Sequence, residues 1–143
     1  MARLLILEDD IDLTDQWEEV LTAAGHELTI TRNASEASAR LTEQVYDLVI
    51  ADIYVRQGGV LVPDGGVLLI SRLRQMVNLN RPAWWQTVPI LAVSGGSRIA
   101  GGFDPLRTAR DLQATDWMRK PFTPKDLVFR VGTMLENAEA AAD

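Results

Sequence analysis

Residues 3–10 read RLLILEDD. Leu4, Leu5, Ile6 and Leu7 form a short, continuous apolar run, the pattern of a strand buried on both faces. The run passes without a spacer into the carboxylates of Glu8, Asp9 and Asp10. Adjacent like charges repel, so something must offset that cost at the end of a buried strand.

The same grammar recurs downstream. Leu13, Trp17, Val20, Leu21 and Ala24 repeat at helical spacing, with Asp10 or Asp12 able to cap the start and Gly25 placed to end the helix. HELTITR (26–32) alternates like a second strand, and ASEASARLTEQ (34–44) places Ala34, Ala37 and Leu41 on one helix face. YDLVIAD (46–52) is a third apolar run that ends in a carboxylate, Asp52. A long loop from Ile53 to Pro63 follows, and Asp64 caps a helix carrying Val67, Leu68, Ile70, Leu73 and Val77. VPILAVS (88–94) is a fourth strand, Asp104-Pro105 opens a fourth helix, and DWMRKPF (116–122) holds a fifth strand ending at Lys120-Pro121. Thr123-Pro124-Lys125-Asp126 starts a last helix with Leu127, Val131 and Leu135 on one face. Strand and helix thus alternate five times, which predicts an α/β fold: a doubly wound, five-stranded parallel sheet with five helices on its two faces.

The totals agree with one folded domain. The chain has 143 residues, 47% hydrophobic and 24% charged, enough for a single core and wrong for a disordered chain. We expect a domain over 1–138, with 139–143 as a frayed tail or the start of a linker. A net charge of −6 argues against direct nucleic-acid binding and against anionic membrane surfaces. The absence of cysteine excludes disulfides, thiolate metal sites and cysteine nucleophiles. The first apolar run is too short for a signal-peptide core, and no run of eighteen apolar residues exists, so the expected location is cytoplasmic, away from membranes.

In open parallel sheets, sites form beyond the carboxyl ends of the strands, and right-handed crossovers bring those ends to one rim. Here the ends supply Glu8 and Asp9, Asp52, Ser94 and Lys120. Clustered carboxylates are tolerable around a hard cation, and magnesium takes a few carboxylates together with waters and phosphate oxygens. Asp52 is then a candidate nucleophile for phosphoryl chemistry, with Lys120 as a fixed positive charge, Ser94 as a hydroxyl donor and the Gly95 N–H unshielded by any side chain.

LLILEDD, DLVIAD, LAVSG and MRKPF, in that order and spacing, resemble the receiver domain of the two-component response regulators over nearly the whole chain. The resemblance implies a flavodoxin-like sheet of strand order 2-1-3-4-5. It implies Asp52 as phosphoacceptor, Glu8, Asp9 and Asp52 with the Tyr54 backbone carbonyl as magnesium ligands, and Lys120 as the phosphoryl contact. It assigns a switch pair, Ser94 and Trp117. The implied partners are a sensor histidine kinase or phosphotransfer protein and a downstream protein. The resemblance also implies a reporting face on the fourth helix, fifth strand and fifth helix, and the same face as the candidate homodimer surface. Such a protein is a phosphoacceptor with self-catalysed phosphorylation and dephosphorylation, not an enzyme acting on a separate substrate.

The loop after Asp52 departs from that family pattern. Arg56 stands where the family has proline, VRQGGVLVPDGG (55–66) is several residues too long, and Val60-Leu61-Val62 are apolar for a surface insertion. Trp117 is bulkier than the usual tyrosine or phenylalanine. These departures motivate an alternative, a receiver-like adaptor that binds protein without being phosphorylated. An aspartyl-phosphate hydrolase is a third class, but it needs a second acid two residues past the nucleophile, where this chain has Tyr54. Trp84 and Trp85 read as core cover, His26 as structural, and glycines 95, 96, 101 and 102 lack the lysine-hydroxyl pair of a nucleotide loop.

Overall fold

The computed structural model describes residues 1–53, 55–57, 60–62, 65–74, 81–95 and 105–142. The chain runs β1 (Arg3–Leu7), α1 (Ile11–Ala23), β2 (Glu27–Thr31), α2 (Ala34–Glu43), β3 (Leu48–Asp52), β4 (Val55–Gln57), β5 (Val60–Val62), α3 (Gly66–Arg74), a 3-10 turn (Ala83–Gln86), β6 (Ile90–Ser94), α4 (Pro105–Asp111), β7 (Asp116–Arg119) and α5 (Pro124–Ala142). The main sheet is parallel with order β2-β1-β3-β6-β7, which is the expected 2-1-3-4-5 once the two short hairpin strands are set aside.

Because side chains alternate along a strand, each apolar run feeds two cores. Leu5 and Leu7 join Val49, Ala51, Ile90 and Ala92 against Ala34, Ala37 and Leu41 of α2, Leu69, Ile70 and Leu73 of α3, and Ala109 of α4. Leu4 and Ile6 join Leu48, Ile50, Leu91 and Val93 on the other face, against Trp17 and Leu21 of α1 and Leu127, Val131 and Met134 of α5. Residues 90–94 of β6 are wholly buried, as a central strand with helices on both sides must be.

The helix starts follow the local chemistry. Asp10, not Asp12, is the N-cap of α1, its carboxylate accepting from Leu13 N–H at 3.2 Å. Asn33 caps α2 through Glu36 N–H at 2.9 Å. At α5, Thr123 Oγ1 accepts from Asp126 N–H and Asp126 Oδ2 from Thr123 N–H, a reciprocal capping box. Gly25 has φ of +95°, the left-handed conformation that ends α1.

Two features differ from the expected outline. The loop after Asp52 contains an antiparallel hairpin, with Val55 opposite Val62 and Gln57 opposite Val60. Helix α5 continues to Ala142, past the residue where the tail was expected to begin. The tryptophan pair covers the core as expected: both lie in the 3-10 turn, and Trp85 is buried, meets Trp84 edge-on and donates its indole N–H to the Leu41 carbonyl at 3.3 Å. Asp64, Val77, Asp104 and glycines 58, 59, 96, 101 and 102 lie outside the described residues. Among the described residues no helix is long and apolar enough to cross a membrane.

Candidate functional site

The carboxyl ends of β1, β3, β6 and β7 meet at one rim. In register, Leu7 pairs with Ala51, Asp52 with Val93, and Ser94 with Arg119. Glu8, Asp52, Ser94 and Lys120 therefore emerge side by side from segments that are distant in sequence. Glu8, Asp52 and Ser94 are buried at 1%, 4% and 3% exposure. Asp9 is half-buried.

Glu8, Asp9 and Asp52 each offer a carboxylate oxygen within 4.8 Å of the others. The Lys120 ammonium donates to Glu8 Oε2 at 2.6 Å and stands 3.5 Å from Asp52 Oδ2. Glu8 Oε1 accepts from Asp10 N–H at 3.2 Å. The Lys120 backbone N–H donates to the Ser94 carbonyl at 2.8 Å, which continues the β6–β7 ladder to the residue that carries the ammonium.

The electrostatics follow from burying several acids around one base. Burial, followed by the Glu8 charge, pushes Asp52 from its ordinary 3.8 up to about 8, against the lowering influence of Lys120. Burial also raises Glu8, although Lys120 opposes it. For Lys120, burial alone favours the neutral amine, but the Asp52 and Glu8 charges outweigh it and raise the ammonium above its ordinary value. With all three carboxylates ionised, one ammonium would leave two negative charges, which a divalent cation would neutralise and so favour that ionised state. All the donors are hard oxygens, which fits magnesium and not a soft metal. Glu8, Asp9 and Asp52 are the residues that would hold it. Tyr54, expected to add its carbonyl, lies outside the described residues.

Trp117 stands apart from this cluster. It sits on edge strand β7, is 39% exposed, and its carbonyl accepts from Arg130 at 3.3 Å. His26 precedes β2, with its Nδ1 buried and without a hydrogen-bond partner among the described residues; burial and the chain's amino terminus lower its pKa.

Several residues that shape the site do not stand out in the sequence. Arg32, just past β2, donates to the Glu8 carbonyl and to Thr14 Oγ1, both at 3.0 Å, and so ties the acidic turn to α1. Gly66 begins α3 against the Asp52 backbone: a Cβ there would run into the Asp52 carbonyl oxygen and lie 3.0 Å from Ile53 Cα. Trp17, read as a core residue, stacks on Phe122 and also lies 6.0 Å below the Lys120 ammonium. The signals were present as a lone arginine after a strand, a doubled glycine at 65–66, and an aromatic among aliphatic helix positions. None is specific without the pairing that places it.

Comparison with known proteins agrees with this geometry. The family model for the response regulator receiver domain matches residues 4–132. The transcriptional regulatory protein PrrA of Mycobacterium leprae is 29% identical over 140 residues, covering 98% of this chain and 52% of that protein. The chain spans about half the length of the curated relatives it matches. A putative response regulator from Chloroflexus aurantiacus is 28% identical with a TM-score of 0.74, covering 94% of this chain and 98% of that one. A CheY-like receiver domain protein from Methanospirillum hungatei shares the fold, with a TM-score of 0.75 at 22% identity over 99% of this chain and 98% of that one.

Proposed function

Because the chain belongs to the response regulator receiver family, we propose that it is the phosphoacceptor of a two-component system, with Asp52 as the acceptor. The observation that carries this reading is the position of Lys120 Nζ, 3.5 Å from Asp52 Oδ2 and 2.6 Å from Glu8 Oε2, at the edge of the three-carboxylate cluster.

In the proposed reaction an Asp52 carboxylate oxygen attacks phosphorus. The new O–P bond forms as the P–N bond to the donor's histidine breaks, and the leaving imidazole takes up a proton. Lys120 holds its charge beside the phosphoryl oxygens as they accumulate negative charge. Glu8, Asp9 and Asp52 would hold magnesium, whose charge would neutralise the carboxylates and the incoming phosphoryl group and favour the ionised form of Asp52. Ser94 offers a hydroxyl at the next strand end, and the Asp52 acyl phosphate later hydrolyses to restore the free carboxylate.

A sensor histidine kinase or a phosphotransfer protein is the proposed donor, and a further protein reads the modified state. The chain acts as a substrate that assists its own modification. The test is intact mass after incubation with acetyl phosphate. We expect a gain of one phosphoryl group that requires magnesium and is absent in Asp52→Asn. An unchanged yield in that variant refutes the assignment.

The hairpin directly after Asp52 favours a second reading, a receiver-like adaptor that recognises protein without phosphorylation. That reading predicts no Asp52-dependent response to magnesium or phosphodonor.

A further inference from the structure

Trp17 is 2% exposed in the core between α1 and α5. Its ring stacks on Phe122, with centroids 5.9 Å apart and planes inclined by 18°. The Lys120 ammonium lies 6.0 Å from the centre of the same ring. Only Pro121 separates Lys120 from Phe122, so one indole contacts both ends of the segment that delivers the site's lysine.

We propose that Trp17 is a positioning residue for Lys120, its aromatic face holding the ammonium against Glu8 and Asp52. The inference rests on the role given to Lys120 above and adds what keeps that side chain in place. A lysine stem is flexible, and its ammonium has three N–H donors. Two carboxylates engage it, at 2.6 and 3.5 Å. A polar neighbour on the remaining side brings its own acceptor and draws the ammonium away from Asp52. An aromatic face attracts the cation through its quadrupole and offers no competing lone pair. The Lys120 side chain is only 16% exposed, so the ammonium sits in a setting where such a face counts for more than in water.

The connection has a second consequence. Trp17 belongs to the helix whose N-cap is Asp10, the last residue of the acidic turn. Phe122 fixes the plane of the indole from the far side of the lysine segment. The acid-bearing end of β1 and the lysine-bearing end of β7 are thereby tied through one side chain. A leucine at position 17 fills much of the same core volume and provides no face for the ammonium, so aromaticity matters here beyond hydrophobicity.

The experiment compares the full chain with Trp17→Phe and Trp17→Leu, folding being checked by circular dichroism and thermal melting. The first readout is the proton shift of the Lys120 ε-methylene in carbon-labelled protein. An indole over the stem moves it upfield; we expect that displacement to shrink in the phenylalanine variant and vanish in the leucine variant. The second is phosphorylation by acetyl phosphate with magnesium. We expect the leucine variant to be about tenfold slower at saturating donor, the phenylalanine variant to recover to within about threefold of wild type, and the half-saturating donor concentration to be unchanged. A folded leucine variant with the wild-type lysine shift or rate overturns the proposal, and so does equal impairment of both variants, which marks loss of volume alone. If the leucine variant does not fold, the lysine shift of the phenylalanine variant decides. Failure of the wild type to accept phosphate refutes the proposed function, while the lysine shift still tests the role of Trp17.

Discussion

Glu8 and Lys120, 112 residues apart in the chain, meet at 2.6 Å between Oε2 and Nζ. The contact does three things. It gives a buried carboxylate a counter-charge, and it parks the ammonium beside Asp52 rather than in solvent. It also sets up a competition, since Glu8 is a proposed magnesium ligand whose oxygens already serve Lys120 and the Asp10 N–H.

That competition gives the first prediction. Lys120→Met removes a positive charge from the cation's neighbourhood, so magnesium should bind several-fold more tightly while phosphorylation slows by at least about tenfold. Glu8→Gln should weaken magnesium binding by about tenfold or more. Calorimetric titration with magnesium, beside phosphorylation rates, checks both directions. Loosened magnesium binding in the lysine variant would contradict a competition between ammonium and cation for the same carboxylates.

Asp52 supplies a pH prediction. Its folded value of about 8 lies above the ordinary 3.8, so the folded protein holds this proton more tightly than the unfolded chain does. The resulting stability is complete below about pH 4 and is lost as pH rises through 8. In chelator, Asp52→Asn should therefore gain stability over wild type as pH rises, by about 1–3 kcal/mol above pH 8, or several degrees in Tm. Magnesium should narrow that gap by stabilising the ionised wild type. Thermal melts from pH 5 to 9, with and without magnesium, measure it.

Gly66 and Gly132 form a contrasting pair. A methyl group at Gly66 meets the Asp52 carbonyl group and Ile53 Cα, all backbone atoms that cannot swing aside. Gly66→Ala should cost about 1–3 kcal/mol and slow phosphorylation, because relief requires α3 or the end of β3 to move. Gly132 lies inside α5, where a Cβ would meet no other described residue within 4 Å beyond its own helix, so Gly132→Ala should stabilise by about 0.5–1 kcal/mol without touching the site. Urea denaturation of the two variants separates them.

Arg74 tests the far end of the sheet. Its guanidinium donates to the carbonyls of Gln113, Trp85 and Val88 and to Thr115 Oγ1. Burial lowers its pKa, and among the described residues its partners are these neutral oxygens. Arg74→Ala should cost about 2–4 kcal/mol by orphaning those carbonyls, with lysine a poor substitute because its single nitrogen cannot span them. Magnesium affinity should be unchanged, since the rim chemistry lies at the opposite strand ends.

Much of this protein was legible in one dimension. The periodicity of the apolar runs is local: residues 4–7, 48–52 and 90–94 are continuous because both faces of a central parallel strand are covered, and α1 and α5 show their buried stripes every three to four residues. Alternation of strand and helix then implied the layered architecture, and the sheet's rim followed because parallel strands all end on one side. The polar residues at those ends, Glu8, Asp9, Asp52, Ser94 and Lys120, were visible before any distance was known. What required the tertiary structure was every relation that depends on which atoms meet across the chain. Sequence spacing carries no record that Lys120 rests between Glu8 and Asp52, that Trp17 and Phe122 close together beside it, that Gly66 leaves room for the Asp52 carbonyl, or that Arg32 ties the acidic turn to α1. Nor does it show that the long insertion folds into a hairpin or that Trp117 faces outward from an edge strand. Secondary structure arises from neighbours along the chain, whereas a site is a meeting of side chains from separate strands, and only packing the two cores brings them within reach.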